Sequence, residues 1–131
     1  MPGRWNCATL TKASRLAAET RGRRAETLAA WWLRCQGFSI LAQRLRIPAG
    51  EIDLVARRGL TLLFVEVKAR ATEDAGRWAL QEHRLRRVAH AAETLVARFG
   101  KDCTTVRIDA IIVRPWAWPL HLRGVWQGEW R

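Results

Sequence analysis

The sequence predicts a single α/β domain, a mixed layer of strands with helices packed on it. Three observations carry that reading. Two segments, near residues 19–36 and 80–99, repeat apolar side chains at helical spacing. Four further segments are β-branched or alternate apolar with polar residues, as strands do. Their order along the chain is helix, three strands, helix, then one strand or two, with no internal repeat and no low-complexity linker. The length of 131 residues suits one domain, since domains cluster near roughly 100–150 residues. A chain of this size buries about two-thirds of the surface its unfolded form exposes, enough for a core without disulfide or metal staples.

Residues 1–18 are mixed and basic, with Pro2 and Gly3, and read as an N-terminal arm or short helix, leaving 19–131 as the α/β domain. Ala25, Leu28, Ala29, Trp32 and Cys35 or Gln36 form the stripe of the first helix, which Gly37 stops. Residues 38–46 alternate Phe38, Ile40 and Ala42 against polar neighbours, as a strand. Pro48-Ala49-Gly50 is a turn, and residues 51–57 and 60–69 are two strands around an Arg58-Gly59 hairpin turn. Residues 72–76 form a polar loop. Leu85, Val88, Ala92, Leu95, Val96 and Phe99 make the stripe of the second helix, ended by Gly100. Residues 105–113 are a β-branched strand stopped by Pro115, and residues 121–127 add a final short strand.

Composition excludes several functions. The longest apolar runs are far short of the roughly 20 residues that span a bilayer, and no secretory signal is readable, so a cytoplasmic protein without a membrane partner is expected. Three widely spaced cysteines with no CxxC pair encode neither a zinc knuckle nor a redox dithiol. The formal charge of +11 points toward polyanions, of which nucleic acid is the commonest. The alternative is a merely arginine-rich composition, since most of the 23 basic residues are arginine. The charge is uneven, however. Residues 1–48 carry +7 (nine basic, two acidic), whereas residues 49–78 are neutral, with five of each sign. A protein that only coats DNA has little reason to place acids among its strands.

Those acids fall in a pattern. Glu66 and Lys68 end the apolar strand Leu62-Leu63-Phe64-Val65-Glu66-Val67-Lys68, and residues two apart in a strand share a face. Glu51 and Asp53 stand on the preceding strand at matching parity. A hairpin turning at Arg58-Gly59 pairs residues whose numbers sum to 117, making Asp53 and Glu66 diagonal neighbours about 7–8 Å apart at the backbone. Two carboxylates at that spacing can share a divalent cation, and Mg²⁺ or Mn²⁺ suits carboxylate and water oxygens. Lys68 would hold a water or a phosphate as a point charge. The competing reading is a structural Glu66–Lys68 ion pair where a strand reaches solvent. Two acids and a lysine on one face of apolar, central strands favour chemistry.

Gly50-Glu51-Ile52-Asp53-Leu54-Val55-Ala56, followed by Phe64-Val65-Glu66-Val67-Lys68-Ala69-Arg70, resembles the YraN-like family of small predicted endonucleases, within the PD-(D/E)xK, or restriction-endonuclease-like, superfamily. The resemblance extends from the helix around Ala25-Glu26 through Gly37-Phe38-Ser39-Ile40-Leu41 to Arg107-Ile108-Asp109, about two-thirds of the chain. It implies an αβββαβ core with a mixed central sheet flanked by helices. In that core Asp53 and Glu66 ligate Mg²⁺, Lys68 assists the attacking water, and Glu26 completes the metal site. The chain departs from the family's pattern in two places. His83 or Arg84 stands where a lysine is usual at the head of the second helix, and Ile108 replaces the phenylalanine of Arg-Phe-Asp.

The remaining candidates are weaker. On pattern alone Glu26 is equally a metal ligand and a partner for Arg23 or another basic side chain. Glu51, after a turn, reads as structural or as a neighbour supporting the ligands rather than a ligand itself, and Asp109, beside Arg107, as a buried salt-bridge or hydrogen-bond partner. Arg84, Arg86 and Arg87 at the head of the second helix, together with Arg70, are candidate phosphate contacts, although a solvated face explains each as well. Trp78, Trp116 and Trp118 are candidates to stack on unpaired bases, against ordinary packing. The expected function is Mg²⁺-dependent hydrolysis of DNA, including branched, damaged or single-stranded DNA. A homodimer would supply the two sites that symmetric cutting needs. The alternative is a non-catalytic nucleic-acid-binding module of the same fold.

Overall fold

In the computed structural model, residues 7–69 and 82–126 are described. Helix α1 spans Cys7–Cys35. It begins well before Glu19 and passes through the boundary expected between arm and domain. Residues 12–17 are exposed all round, so local propensity in an Ala- and Leu-rich run carries this part of the helix without packing. The buried face is Ala25, Ala29, Ala30 and Leu33. Leu28 and Cys35, expected in the stripe, are exposed. Both lie more than about 120° round the helix from the arc centred on Ala29 and Leu33. Glu26 falls inside that arc, and so faces the sheet.

Five strands follow in spatial order: β1 (Ser39–Ile47), β2 (Gly50–Arg58), β3 (Thr61–Ala69), β4 (Thr105–Val113) and β5 (Leu120–Leu122). The β1–β2, β2–β3 and β4–β5 pairs are antiparallel. The β3–β4 pair is parallel, bridged by the crossover that contains helix α2 (Glu82–Phe99). The element order is the αβββαβ core expected, with a short edge strand added. Helix α1 packs on Leu54, Ala56, Leu63, Val65, Val67 and Ile111. Helix α2 covers the other face, on Ile52, Val55, Leu62, Phe64 and Ile108. β3 is buried on both sides from Leu62 to Val67, which explains its nearly unbroken apolar run.

Two features of the sheet differ from the expected hairpin. Arg58 pairs with Thr61, so the turn is Gly59-Leu60 and paired residues sum to 119. Gly59 has φ +59°, the backbone that a tight two-residue hairpin demands at its first turn position. The shift by two residues preserves which residues share a face. The second difference is a coordinated face change in β1 and β2. Ala42 and Leu45, and likewise Ile52 and Val55, share the α2 face although they are three residues apart. Strict alternation would put them on opposite faces. The change centres on Arg44, whose φ is +52°. Left-handed backbone in a non-glycine residue costs about 1–2 kcal/mol, so the surrounding pairs must hold it in place.

At the start of β2, a Cβ on Gly50 would lie 3.0 Å from the Arg87 carbonyl oxygen and 3.3 Å from the Ala91 Cβ. Glycine here lets β2 approach α2 closely and brings Arg87 to the end of the sheet that carries the acids.

Candidate functional site

Three of the four expected catalytic residues meet at one end of the sheet. The β2–β3 ladder runs from Arg58–Thr61 to Leu54–Val65. Beyond that point the Asp53 carboxylate accepts the Val67 backbone N–H over 2.8 Å, so a side chain occupies the gap between strands. Glu66 and Lys68, on the same face of β3, are joined by a 3.1 Å Nζ–Oε1 contact, with side chains only 6% and 11% exposed. Asp53, Glu66 and Lys68 line one open basin with Glu51, Val67, Arg87 and Val88. The structural ion pair and the acid–acid–lysine constellation are thus both present in a single site.

Its electrostatics are those of crowded, poorly solvated acids. Burial pushes Asp53 up to about 6, against the Val67 hydrogen bond, which lowers it. The negative charges of Glu26 and Glu66 raise it further, and Lys68 lowers it. Glu26 is also raised above its ordinary range, chiefly by burial, with Arg44 opposing and Glu51 adding to the rise. Its carboxylate is held by Arg44 over 3.0 Å and does not line the basin. Its field reaches Asp53 while one of its oxygens, Oε2, is engaged by a basic side chain of β1. Among the described residues, no group of three His, Cys, Asp or Glu side chains is gathered closely enough to hold a metal ion. Of the three carboxylates that line the basin, Asp53 and Glu66 are its inner oxygen donors, while the exposed Glu51 stands at the rim beside Arg46. Periodicity carried no sign of Arg44 as a participant, because its position depends on an unusual backbone angle.

Of the expected phosphate contacts, Arg87 lines the basin, while Arg86 is exposed on the same turn of α2 and outside it. Arg70 and the side chain of Arg84 lie outside the described residues, as do the 72–76 loop and Trp78. Glu51 is exposed and contacts Arg46 at 3.3 Å, as its structural reading implied.

A second polar cluster is built around an internal carboxylate. Asp109 is 0% exposed. It accepts two bonds from Arg107, at 2.8 and 3.0 Å, and one from the Gly124 N–H at 2.9 Å. His121 Nε2 stands 2.6 Å from its Oδ2. Burial alone would raise the Asp109 carboxyl, but the bonds from His121, Arg107 and Gly124 outweigh it and hold the group below its ordinary range. The cluster ties β4 to β5 and to the segment after it, a structural role. His121 was not singled out in the sequence, where residues 121–127 read as a final short strand; the strand is instead Leu120–Leu122.

Residues 25–113 match the family model described as "Uncharacterised protein family UPF0102". A UPF0102 protein of Rhizorhabdus wittichii is 52% identical over 115 residues, covering 88% of this chain and 98% of the relative. One from Sphingopyxis alaskensis is 54% identical over 114 residues, covering 87% and 98%. One from Erythrobacter litoralis is 49% identical over 113 residues, covering 86% and 97%. The matched span contains every member of the basin.

Proposed function

Starting from the uncharacterised protein family UPF0102, to which this chain belongs, and from the basin at the end of β3, we propose a divalent-metal-dependent nuclease that hydrolyses DNA phosphodiester bonds. The observation that carries the reading is the meeting of Asp53, Glu66 and Lys68 in one basin that Arg87 also lines. Asp53 and Glu66, with Glu51 at the rim and no histidine or cysteine in the lining, suit Mg²⁺ or Mn²⁺, which take one or two protein carboxylates and keep several waters. Asp53 and Glu66 would hold the ion, which when bound lowers the pKa of a water and offsets charge developing on phosphate. Burial of the Asp53 carboxylate, reinforced by the negative charges of Glu26 and Glu66, is the penalty that such an ion would relieve. Lys68 Nζ, drawn toward Glu66, orients the attacking water or a phosphate oxygen. Arg87 binds a phosphate at the rim, where a planar guanidinium can engage two oxygens at once.

One observation favours the alternative, a non-catalytic nucleic-acid-binding module. Lys68 already neutralises Glu66, and Arg44 neutralises Glu26, so the acids have partners without a metal. The deciding experiment offers duplex, single-stranded, flap and four-way DNA with Mg²⁺ or Mn²⁺ to wild type beside Glu66→Ala and Lys68→Ala. The nuclease reading expects cleavage of at least one substrate, abolished by Glu66→Ala and slowed roughly 10²–10⁴-fold by Lys68→Ala. Binding without cleavage of any substrate establishes the binding module instead.

A further inference from the structure

Trp116 and Trp118 stand on the turn between β4 and β5, 103% and 77% exposed. An indole is among the side chains that gain most from burial, and two are left in solvent within three residues. Trp116 also has φ +59°, a backbone region that bulky residues rarely occupy. Among the described residues nothing covers its ring, which is open on all sides. Trp118 is braced instead. Its ring lies 5.9 Å from that of Trp32, at an interplanar angle of 44°, and its carbonyl accepts Arg114 Nη2 over 2.8 Å. The turn is thus anchored at one end and presents aromatic surface outward.

Its place in the fold gives that surface a use. In the parallel β3–β4 pair, Lys68 is opposite Ile112 and Ala69 opposite Val113. The Trp116–Trp118 turn therefore leaves the sheet at the end that carries the basin, directly after the strand neighbouring Lys68. We propose that this turn is a stacking platform for unpaired nucleobases of the strand whose phosphates lie at the Asp53–Glu66–Lys68 basin. The inference rests on the nuclease reading for its substrate and narrows it to nucleic acid with single-stranded character. Every base offers a π-face to an indole, and the strand's phosphates match a chain of net charge +11. An apolar protein surface would match the rings but not the charge.

The test is a fluorescence-anisotropy titration in EDTA, with a labelled 12-nucleotide oligothymidylate and a 12-base-pair duplex. Wild type is compared with Trp116→Ala, Trp118→Ala and Trp116→Phe, with sedimentation and melting curves on each protein. The platform expects each alanine variant to bind the single strand roughly 5- to 100-fold more weakly, with duplex affinity held within about twofold. Trp116→Phe, which keeps a π-face, should recover most of the loss, and Trp116→Ala should melt as wild type does. Single-strand affinity unchanged in both alanine variants overturns the proposal, as does an equal loss on duplex, or no binding by wild type at low salt. A dimer that Trp116→Ala converts to monomer at unchanged oligonucleotide affinity assigns the surface to a second copy and overturns it too. Binding in EDTA needs no cleavage. Unchanged affinities with Glu66-dependent cleavage therefore sink the platform alone, and affinity losses in a protein that never cleaves sink the nuclease reading alone.

Discussion

Val67 donates its backbone N–H to the Asp53 carboxylate over 2.8 Å, just past the last β2–β3 pair, Leu54–Val65. In a regular hairpin that N–H would be satisfied by a carbonyl of the neighbouring strand. Here a carboxylate takes the carbonyl's place, so the strands part and a charged group is held in the opening, next to Glu66 on β3. The arrangement couples the end of a ladder to a titratable site, and its consequences are measurable.

Asp53 should destabilise the fold at neutral pH. Its folded value of about 6 lies above the ordinary 3.8, so between roughly pH 4 and 6 the folded state keeps a proton that the unfolded state has lost. Stability therefore falls as pH rises through that window and stays lower above it. Asp53→Asn keeps an oxygen to accept the Val67 N–H but removes the charge. In urea unfolding the variant should exceed wild type by about 1–3 kcal/mol at pH 8 and match it near pH 4. Equal stabilities at pH 8 would show that the charge is well solvated.

A divalent ion in the basin should reverse that penalty. Added Mg²⁺ or Mn²⁺ should raise the melting temperature at pH 8 and have much less effect at pH 5, where Asp53 holds its proton. Glu66→Gln, which leaves Asp53 as the one inner carboxylate, should lose most of the rise. A metal-induced shift of equal size in Glu66→Gln would place the ion elsewhere.

DNA affinity should separate from cutting. Without metal, Asp53 and Glu66 repel an approaching phosphate, each by about 1 kcal/mol or more at 4–6 Å and intermediate dielectric. Glu66→Ala should therefore bind DNA more tightly than wild type in EDTA, and the order should narrow or reverse in Ca²⁺. Both proteins should weaken steeply with salt, as the basic segments release counterions. Matched titrations check this, and equal affinities in both conditions would remove the carboxylates from the DNA path.

Asp109 should behave oppositely to Asp53. Its folded value lies below 3.8, so its contribution is present above that pH and disappears as pH falls through the folded value. Asp109→Ala leaves the buried His121 side chain and the partly exposed Arg107 without their carboxylate and should cost roughly 3–5 kcal/mol in denaturant unfolding at pH 7. The metal-induced melting shift should survive wherever the variant folds, because the cluster is separate from the basin.

Element order, the buried face of α2 and the shared face of Glu66 and Lys68 were determined by the sequence alone, whereas Leu28 and Cys35 fell outside the buried face of α1. The reason is covalent: side chains alternate along a regular strand and recur every 3.6 residues along a regular helix, whatever surrounds them. The stripe of α2 was legible for that reason, because its buried residues match the period from Leu85 to Phe99. Tertiary structure decided what depends on neighbouring backbones far away in sequence. It moved the hairpin turn to Gly59-Leu60, set Glu26 against Arg44, and joined Asp109 to His121. It also turned β1 and β2 over at Arg44, through a backbone angle that no hydrophobic pattern encodes. The Asp53–Val67 bond belongs to the same class. Sequence parity put Asp53 near Glu66, but only the parting of two paired strands created the unfilled N–H that holds its carboxylate there.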